Sequence, residues 1–422
     1  MDKVRAVIKT FLSYIKKHKK DPVFLGIAAA AAVLLIVVIA LAGGRKKEAA
    51  ETNWTRVTVV EPEPVPEEEA AEEESITILC TGDNLMHRTL YENAWNGETY
   101  DFTKYYVHVK EQVQAADIAT INQESPLASD LYDLSTYPKF NSPKQVGAAI
   151  IDTGFDIVNL ANNHTFDMGS AGAAITKKYF DNREVPTVGV YDDYSDMLNI
   201  RVLEVKGIRV AFLSFIEMLN HEADGYGAEI VWMQDKKMVE EQIAEAKKVS
   251  DIIVAHVHWG EELTTELTDR QKEYAQYLVD AGIDIIFGNH PHWLQELTTL
   301  TRSSDGRQCP VAYSLGNFVT GMDRREEVVT GFLTVRVSKD PETGEVRPDA
   351  MEFTPLVLQF TSKAKKDLAI YPLTEYTEEM AAANYVNELR GPFDLAYIQN
   401  IIDKTIPKRY QGHMAPLYWH KA

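Results

Sequence analysis

The chain has 422 residues, with 43 Lys and Arg against 63 Asp and Glu and a formal net charge of −20. That length excludes a mini-domain and accommodates one large domain or two average ones. The acidic balance argues against a nucleic-acid partner, which would need a basic face.

The charge falls into three blocks. Residues 1–47 carry ten basic residues against Asp2 and Asp21, a net of +8. Residues 48–75 carry ten Glu against Arg56, a net of −9, and the remainder carries −19. Between the first two blocks, Val23–Ala42 is a run of twenty uncharged residues, VFLGIAAAAAVLLIVVIALA. A helix of that length crosses the hydrocarbon core at about 1.5 Å per residue. The run is longer than the apolar part of a signal peptide, and it ends in Gly-Gly-Arg-Lys-Lys rather than a small-residue cleavage site. Seven basic residues precede it and three follow, so the positive-inside rule puts the N-terminus in the cytoplasm and residues 48–422 outside the cell membrane. Residues 61–75, EPEPVPEEEAAEEES, have no apolar pattern to bury and read as a solvated spacer. The expected layout is a basic cytoplasmic segment at 1–22, a transmembrane helix at 23–42 and a Pro/Glu-rich stalk at 43–74. A folded domain follows at 75–360, then a helical extension at 361–422 that packs on it. Cys80 and Cys309 fall in the exported part, where a disulfide is permitted. Their spacing leaves pairing open, and Cys80 lies in a strand pattern that suits a buried thiol.

From Ser75 onward, apolar β-rich runs alternate with amphipathic stretches. Strands are expected at Ser75–Cys80, Ile118–Ile121, Phe155–Leu160, Ile208–Phe215, Ile252–Val257 and Ile283–Phe287. Helices are expected at Lys104–Ala116, Pro143–Thr153, Ala171–Asn182, Lys236–Val249 and Asp269–Ala281. The alternation predicts an α/β core with strands buried on both faces. After Pro310, Val311–Val319, Val328–Val337 and Met351–Phe360 suggest a second, mainly antiparallel sheet region, and Thr377–Ile402 returns to helix.

Chemistry in open α/β sheets gathers at the carboxyl ends of strands, and here those ends carry metal-ligand residue types. They are Asp83, Asn84 and His87 after the first strand, then Asn122-Gln123-Glu124, then Asn162-Asn163-His164 with Asp167. His256, His258 and Glu261 follow, then Asn289-His290-Pro291-His292, then Asn317 in Ser-Leu-Gly-Asn-Phe. Each alone is most simply a cap, a turn or a structural histidine. Together they hold six of the eleven His, a donor set suited to Mn, Fe or Zn. No Cys joins a plausible ligand group, which argues against a structural zinc site. His290 and His292, on one face of an extended segment with Pro291 between them, could bind one metal or reach two neighbouring ones.

Six motifs in this order resemble the CapA family of capsule-synthesis proteins: GDNLMHR from Gly82, NQE from Asn122, ANNHTFDMG from Ala161, HWGEE from His258, GNHPHWLQ from Gly288 and YSLGNF from Tyr313. The resemblance spans roughly residues 76–320. It implies a link to poly-γ-glutamate capsule production and a metallophosphoesterase-like αββα sandwich behind the single N-terminal transmembrane helix. It also implies two divalent metal ions bound by Asp83, Glu124, Asn163, His258, His290 and His292, with His164 as the catalytic histidine. Asn84, His87, Asn122, Glu261 and Asn317 are candidates for contacts to substrate or to the ligands themselves. Two departures stand out. Related phosphatases commonly show Asp-x-His where this chain has Asp83-Asn84-Leu85, and they use Asp where it has Glu124.

Three functions follow as expectations. The first is metal-assisted hydrolysis of a phosphoester or amide-like bond. The second is a non-catalytic accessory subunit that binds an anionic polymer or the subunits of a polyglutamate synthase and export machine. The third is a carbohydrate or phosphate-polymer enzyme unrelated to polyglutamate; Glu261 and Glu262 would suggest a glycosidase, but their adjacency in sequence points the two side chains apart. The −19 charge of the domain after residue 75 repels a polyanion at long range, so a metal or a local basic patch would have to receive it.

Overall fold

A computed structural model describes residues 74–225 and 227–417. The expected basic segment 1–22, the expected transmembrane helix 23–42 and, save for residue 74, the expected stalk 43–74 lie outside the described residues. Among the described residues, no helix is long and apolar enough to cross a membrane.

Among the described residues, fifteen strands form two sheets. In the first, β1 (Ser75–Leu85), β2 (Ile118–Gln123), β3 (Ile157–Asn159) and β4 (Thr187–Val188) run parallel. On the other side of β1, β12 (Val329–Lys339), β13 (Val346–Gln359) and β14 (Ala369–Pro372) continue the same sheet antiparallel. β11 (Asn317–Thr320) joins the end of β1, and β15 (Ala415–Pro416) pairs with β13. The second sheet holds β5 (Arg201–Val205), β6 (Ile208–Ile216), β7 (Ile252–His258), β8 (Ile285–Asn289), β10 (Gln308–Ala312) and β9 (Leu297–Thr301), in that spatial order.

The late strands therefore extend the first sheet rather than forming one of their own, because β12 pairs with β1 over Ser75–Cys80. The expected strand Val311–Val319 is in fact two. β10 belongs to the second sheet and β11 to the first, and the Ser314–Gly316 turn carries the chain between them. The expected helix Lys104–Ala116 is reduced to a single turn at Thr103–Tyr105 and a helix at Lys110–Ala115.

The alternation of side chains along β6 and β7 explains the layering. Val210, Phe212, Ile216 and Val254 share one hydrophobic core with Ile78, Ile118 and Ile157 of the first sheet. Ala211, Leu213, Phe215 and Ile253 face the other way, onto Val239, Ile243 and Leu278 of helices Lys236–Val249 and Asp269–Ala281. Helices Gln145–Thr153 and Gly169–Asp181 carry the β2–β3 and β3–β4 connections and bury Val146, Ile150, Ala173 and Phe180 in the core of the first sheet. The result is a mixed α/β architecture of two facing sheets with helices outside. Polar bonds also join the sheets: Thr120 Oγ1 meets His256 Nε2 at 2.7 Å, and Ser214 donates to Asn159 Oδ1 at 2.6 Å.

Close backbone approach fixes the start of the site. A Cβ on Gly82 would lie 2.1 Å from the Gly316 carbonyl oxygen, so only glycine lets the turn before β11 press against β1. The Asp83 N–H donates to that same oxygen at 2.9 Å. Cys80 and Cys309 are both buried free thiols in different sheets.

The segment after β13 is part of the same body. Ile398, Ile401 and Ile402 of helix Leu395–Thr405 join the core at helical spacing, behind an Asp394 cap. Lys365, only 3% exposed, donates to the Met322 carbonyl at 2.8 Å and sits 3.4 Å above the Phe360 ring. Burial lowers its pKa to about 7 against the opposing pull of Asp323 and Glu327. Between pH 7 and about 10 the unfolded chain therefore holds a proton that the folded chain does not, so this residue's contribution to stability rises with pH. Chemical denaturation of the parent and of Lys365→Met should show a stability difference that moves in the parent's favour across that window. A difference independent of pH would contradict the assignment.

Candidate metal centre

The carboxyl ends of β1, β2, β7 and β8 converge on one buried cluster of acids and imidazoles. Glu124, His258 and His290 place ligand atoms within 4.8 Å of one another, and so do Asp83, Glu124 and His292. Glu124 is common to both triads. Its Oε1 lies 3.7 Å from His258 Nε2, and its Oε2 lies 3.9 Å from His292 Nδ1. Glu124 is fully buried, and neither carboxylate oxygen has a hydrogen-bond partner among the described residues. His258 Nδ1, His290 Nδ1 and Asn163 Nδ2 are likewise buried without partners. An unsatisfied buried polar atom is rare in a folded protein, so their concentration here is chemically informative.

The backbone separates the two late histidines. His290 has φ +101° and His292 φ +60°, both in the left-handed region. The His-Pro-His segment is therefore a turn rather than an extended run. It delivers the rings, 6.2 Å apart, to different triads.

Electrostatics follow from the crowding. Burial, with Asp83 adding to it, pushes the Glu124 carboxyl well above its ordinary range. Burial opposes charge on His292, but Glu124 and Asp83 outweigh it and lift that imidazole to about 10. Burial holds His290 down at about 3, and it drives His258 well below its usual value with the neighbouring imidazoles acting in the same direction. Uncharged imidazoles offer lone pairs to a cation.

A ring of amides holds the ligands. Asn122 Nδ2 donates to Asp83 Oδ1 at 2.8 Å, Asn159 Nδ2 donates to Asn122 Oδ1 at 2.8 Å, and Ser214 completes the chain from the second sheet. The His290 N–H donates to Asp83 Oδ2 at 3.2 Å. Asn317 Oδ1 lies 2.9 Å from His292 Nδ1, and Asn163 Oδ1 lies 3.1 Å from His258 Nε2. His164 stands beside this group with its Nδ1 2.7 Å from Asp167 Oδ2, and the edge of its ring meets Phe140.

Other sequence candidates lie apart from the triads. Asn84 turns its amide to Gln123 and accepts from the Tyr106 hydroxyl. His87, which burial lowers to about 4, accepts from the Gly321 N–H and packs against Phe140. His256 bonds across the sheets to Thr120. Glu261 is exposed and makes no hydrogen bond or ion pair among the described residues. Glu217 instead anchors that loop by accepting from the Gly260 N–H at 3.0 Å, and Glu262 exerts a field on Glu124 and His292. Asn159 and Glu217 escaped the sequence reading. The signal for Asn159 was a lone amide in the otherwise apolar strand Ile-Val-Asn-Leu; Glu217 had none.

Fold and cluster together define an α/β protein with a carboxylate–histidine site where two sheets meet. Residues 77–322, more than half of the chain, match the family described as bacterial capsule synthesis protein PGA_cap. The chain belongs to that family. It is 31% identical over 266 residues to the capsule biosynthesis protein CapA of Bacillus anthracis, covering 59% of this chain and 60% of that relative. It is 28% identical over 309 residues to the PGA biosynthesis protein CapA of Bacillus subtilis (strain 168), covering 71% of this chain and 78% of that one. Among solved structures, a 5'-nucleotidase from Candida albicans SC5314 overlaps with a TM-score of 0.37 and 15% identity, over 64% of this chain and 52% of that one. That score is too low to define a shared fold.

Because Asn122 orients Asp83 without entering either triad, Asn122→Ala should weaken divalent-metal affinity by about 10–100-fold while the fold persists. Titration calorimetry with Mn²⁺ alongside thermal melting measures both. Unchanged affinity would show that the amide ring does not position the ligands.

Proposed function

We propose that this chain is a membrane-anchored extracytoplasmic protein of capsule or poly-γ-glutamate biosynthesis or export. Its buried cluster would hydrolyse a phosphoester or amide-like bond in a metallophosphoesterase-like fold. The observation that carries the reading is Glu124, a fully buried carboxylate shared by two triads with no hydrogen bond to either oxygen. Such a group is costly to bury alone, and cations on either side would satisfy it. The orphaned ring nitrogens of His258 and His290 are of the donor types that Mn, Fe or Zn accept, and Asn163 would ligate through its Oδ1, which already lies 3.1 Å from His258 Nε2. The residues therefore fit a two-ion site held by Asp83, Glu124, Asn163, His258, His290 and His292. Bound there, such ions supply Lewis-acid polarisation and a lowered water pKa.

The chain's own residues would do the rest. Asp167 accepts from His164 Nδ1 and fixes the ring, leaving Nε2 to give or take a proton at the reacting bond. Asp167 also accepts from the Phe140 N–H at 2.6 Å, so one carboxylate sets both the histidine and the aromatic wall beside it. Phe140 and His87 would exclude water from that side. Asn122 and Asn317 keep Asp83 and His292 oriented.

The deciding experiment uses the purified full-length chain, assayed for bound Mn, Fe and Zn and for cleavage of a generic phosphodiester. His292→Ala and Asp83→Ala should lose both metal and activity. His164→Ala should keep its metal and lose about 10²–10⁴ in turnover. A chain that binds no metal under replete conditions would instead favour the accessory, non-catalytic role.

The anchor rests on the apolar run 23–42 and the excess of basic residues before it. External protease on intact cells should remove the domain beyond residue 75 while the chain stays with the membrane fraction. Full protection of the domain would reverse the orientation.

A further inference from the structure

A groove of about 480 Å³ lies away from the metal centre, between the loop that leaves β2 and the second half of helix Gly169–Asp181. Lys144, Lys178 and Arg183 line it, with Asp130 as the single acid among the lining residues and Leu127, Leu131 and Ile175 as its apolar floor and rim. This is a local excess of positive charge on a part of the chain that carries −19. Lys178 is exposed and makes no ion pair among the described residues. The Lys144 ammonium meets the Asp130 carboxylate at 2.5 Å, but both side chains are well exposed, at 40% and 63%. A pair so open to water contributes little and gives way readily to another carboxylate. The Arg183 guanidinium lies 3.8 Å over the Tyr179 ring and donates to the Tyr179 carbonyl at 2.9 Å, which holds it along the groove.

We propose that this groove binds an extended polycarboxylate chain, with Lys144, Lys178 and Arg183 receiving successive carboxylates. It rests on the reading above that the protein serves capsule or poly-γ-glutamate biosynthesis or export, but it uses residues separate from the metal cluster. Three points favour a carboxylate chain over other polyanions. Asp130 already occupies Lys144 with the same chemical group. Leu127, Leu131 and Ile175 match the methylene spacers between carboxylates of a polyamino acid. The groove's one aromatic face, Tyr179, is covered by Arg183, so no platform is left on which nucleobases could stack.

The topology ties the groove to the cluster. Glu124 begins the loop that carries Leu127, Asp130 and Lys144, and the Leu127 N–H donates to Thr176 of the helix at 2.9 Å. That helix has 13 residues, so it is about 20 Å long. It starts two residues after Asp167, beside His164, and ends at the groove.

The test uses the full-length chain in detergent, with a fluorescently labelled polyglutamate oligomer followed by anisotropy at rising salt. The parent should bind with strong salt dependence. The double variant Lys178→Glu/Arg183→Glu should bind at least about tenfold more weakly and with a shallower salt dependence, while metal content and phosphodiester turnover stay unchanged. The charge-conserving Lys178→Arg/Arg183→Lys should retain binding and so verify the fold. His292→Ala should bind the oligomer as the parent does, which separates this proposal from the fate of the metal site. Parent-level binding by the charge-reversed variant, or no binding by the parent at low salt, overturns the groove. Equal or tighter binding of a polyphosphate of matched length overturns the carboxylate assignment.

Discussion

The structure depends on a carboxylate held where water cannot reach it. Glu124 directly follows β2 in a position with no exposure and no donor within bonding distance of either oxygen. Charge placed there must be compensated from within the protein, and the compensating groups come from two other strand ends. His258 faces it from β7, and His290 and His292 approach from beyond β8. In the protein alone, the strong rise of the His292 pKa and the displacement of Glu124 express that same compensation. Removing one partner of such a buried pair leaves an uncompensated charge, the costly case in protein interiors. The cluster thus works as a unit rather than as a sum of contacts.

The fold bears local strain to bring those groups together. β1 breaks its regular register with both β2 and β11 around Asp83. His290 and His292 both adopt left-handed backbone conformations that cost about 1–3 kcal/mol each for residues with a side chain. Strain of this size persists only where the surroundings over-determine it. Here they do. The His290 N–H is fixed to Asp83, His292 to Asn317, and Asn317 in turn donates to the His292 carbonyl at 3.3 Å. Asn122, Asn159 and Asn317 act as rigid spacers that set where the carboxylate and the imidazole point.

Charge acts on two scales. Summed over residues 76–422, the charge is −19, which repels a polyanion at a distance but is screened beyond about 10 Å at ordinary salt. At close range the pattern is uneven. Cations gather in the groove between Lys144 and Arg183, and lone pairs gather at the metal cluster. An acidic domain can therefore engage an anion locally while its wider surface discourages unspecific association.

Much of the site was legible in the sequence because strands ending in polar loops deliver side chains to one edge of a sheet. Asp83, Glu124, His258, His290 and His292 all follow buried apolar runs, and those runs are what make them converge. The charge blocks, the α/β alternation and the separation of the apolar run 23–42 from the acidic run 61–75 are composition and periodicity, which a linear chain carries in full. Partnership was not legible. Nothing in Ser-Leu-Gly-Asn-Phe says that β10 and β11 join different sheets, nor that Asn317 meets His292. Nothing in His-Pro-His says that the segment turns and divides its rings between two triads, since that depends on contacts with Asp83 and β11, far away in the chain. Asn84, His87 and Glu261 looked equivalent to the ligands by residue type and spacing, and only packing against Tyr106, Phe140 and solvent distinguished them. Sequence determined which chemical groups stand at the strand ends. Tertiary structure decided which of them share a buried volume, because desolvation and mutual distance are properties of neighbours in space.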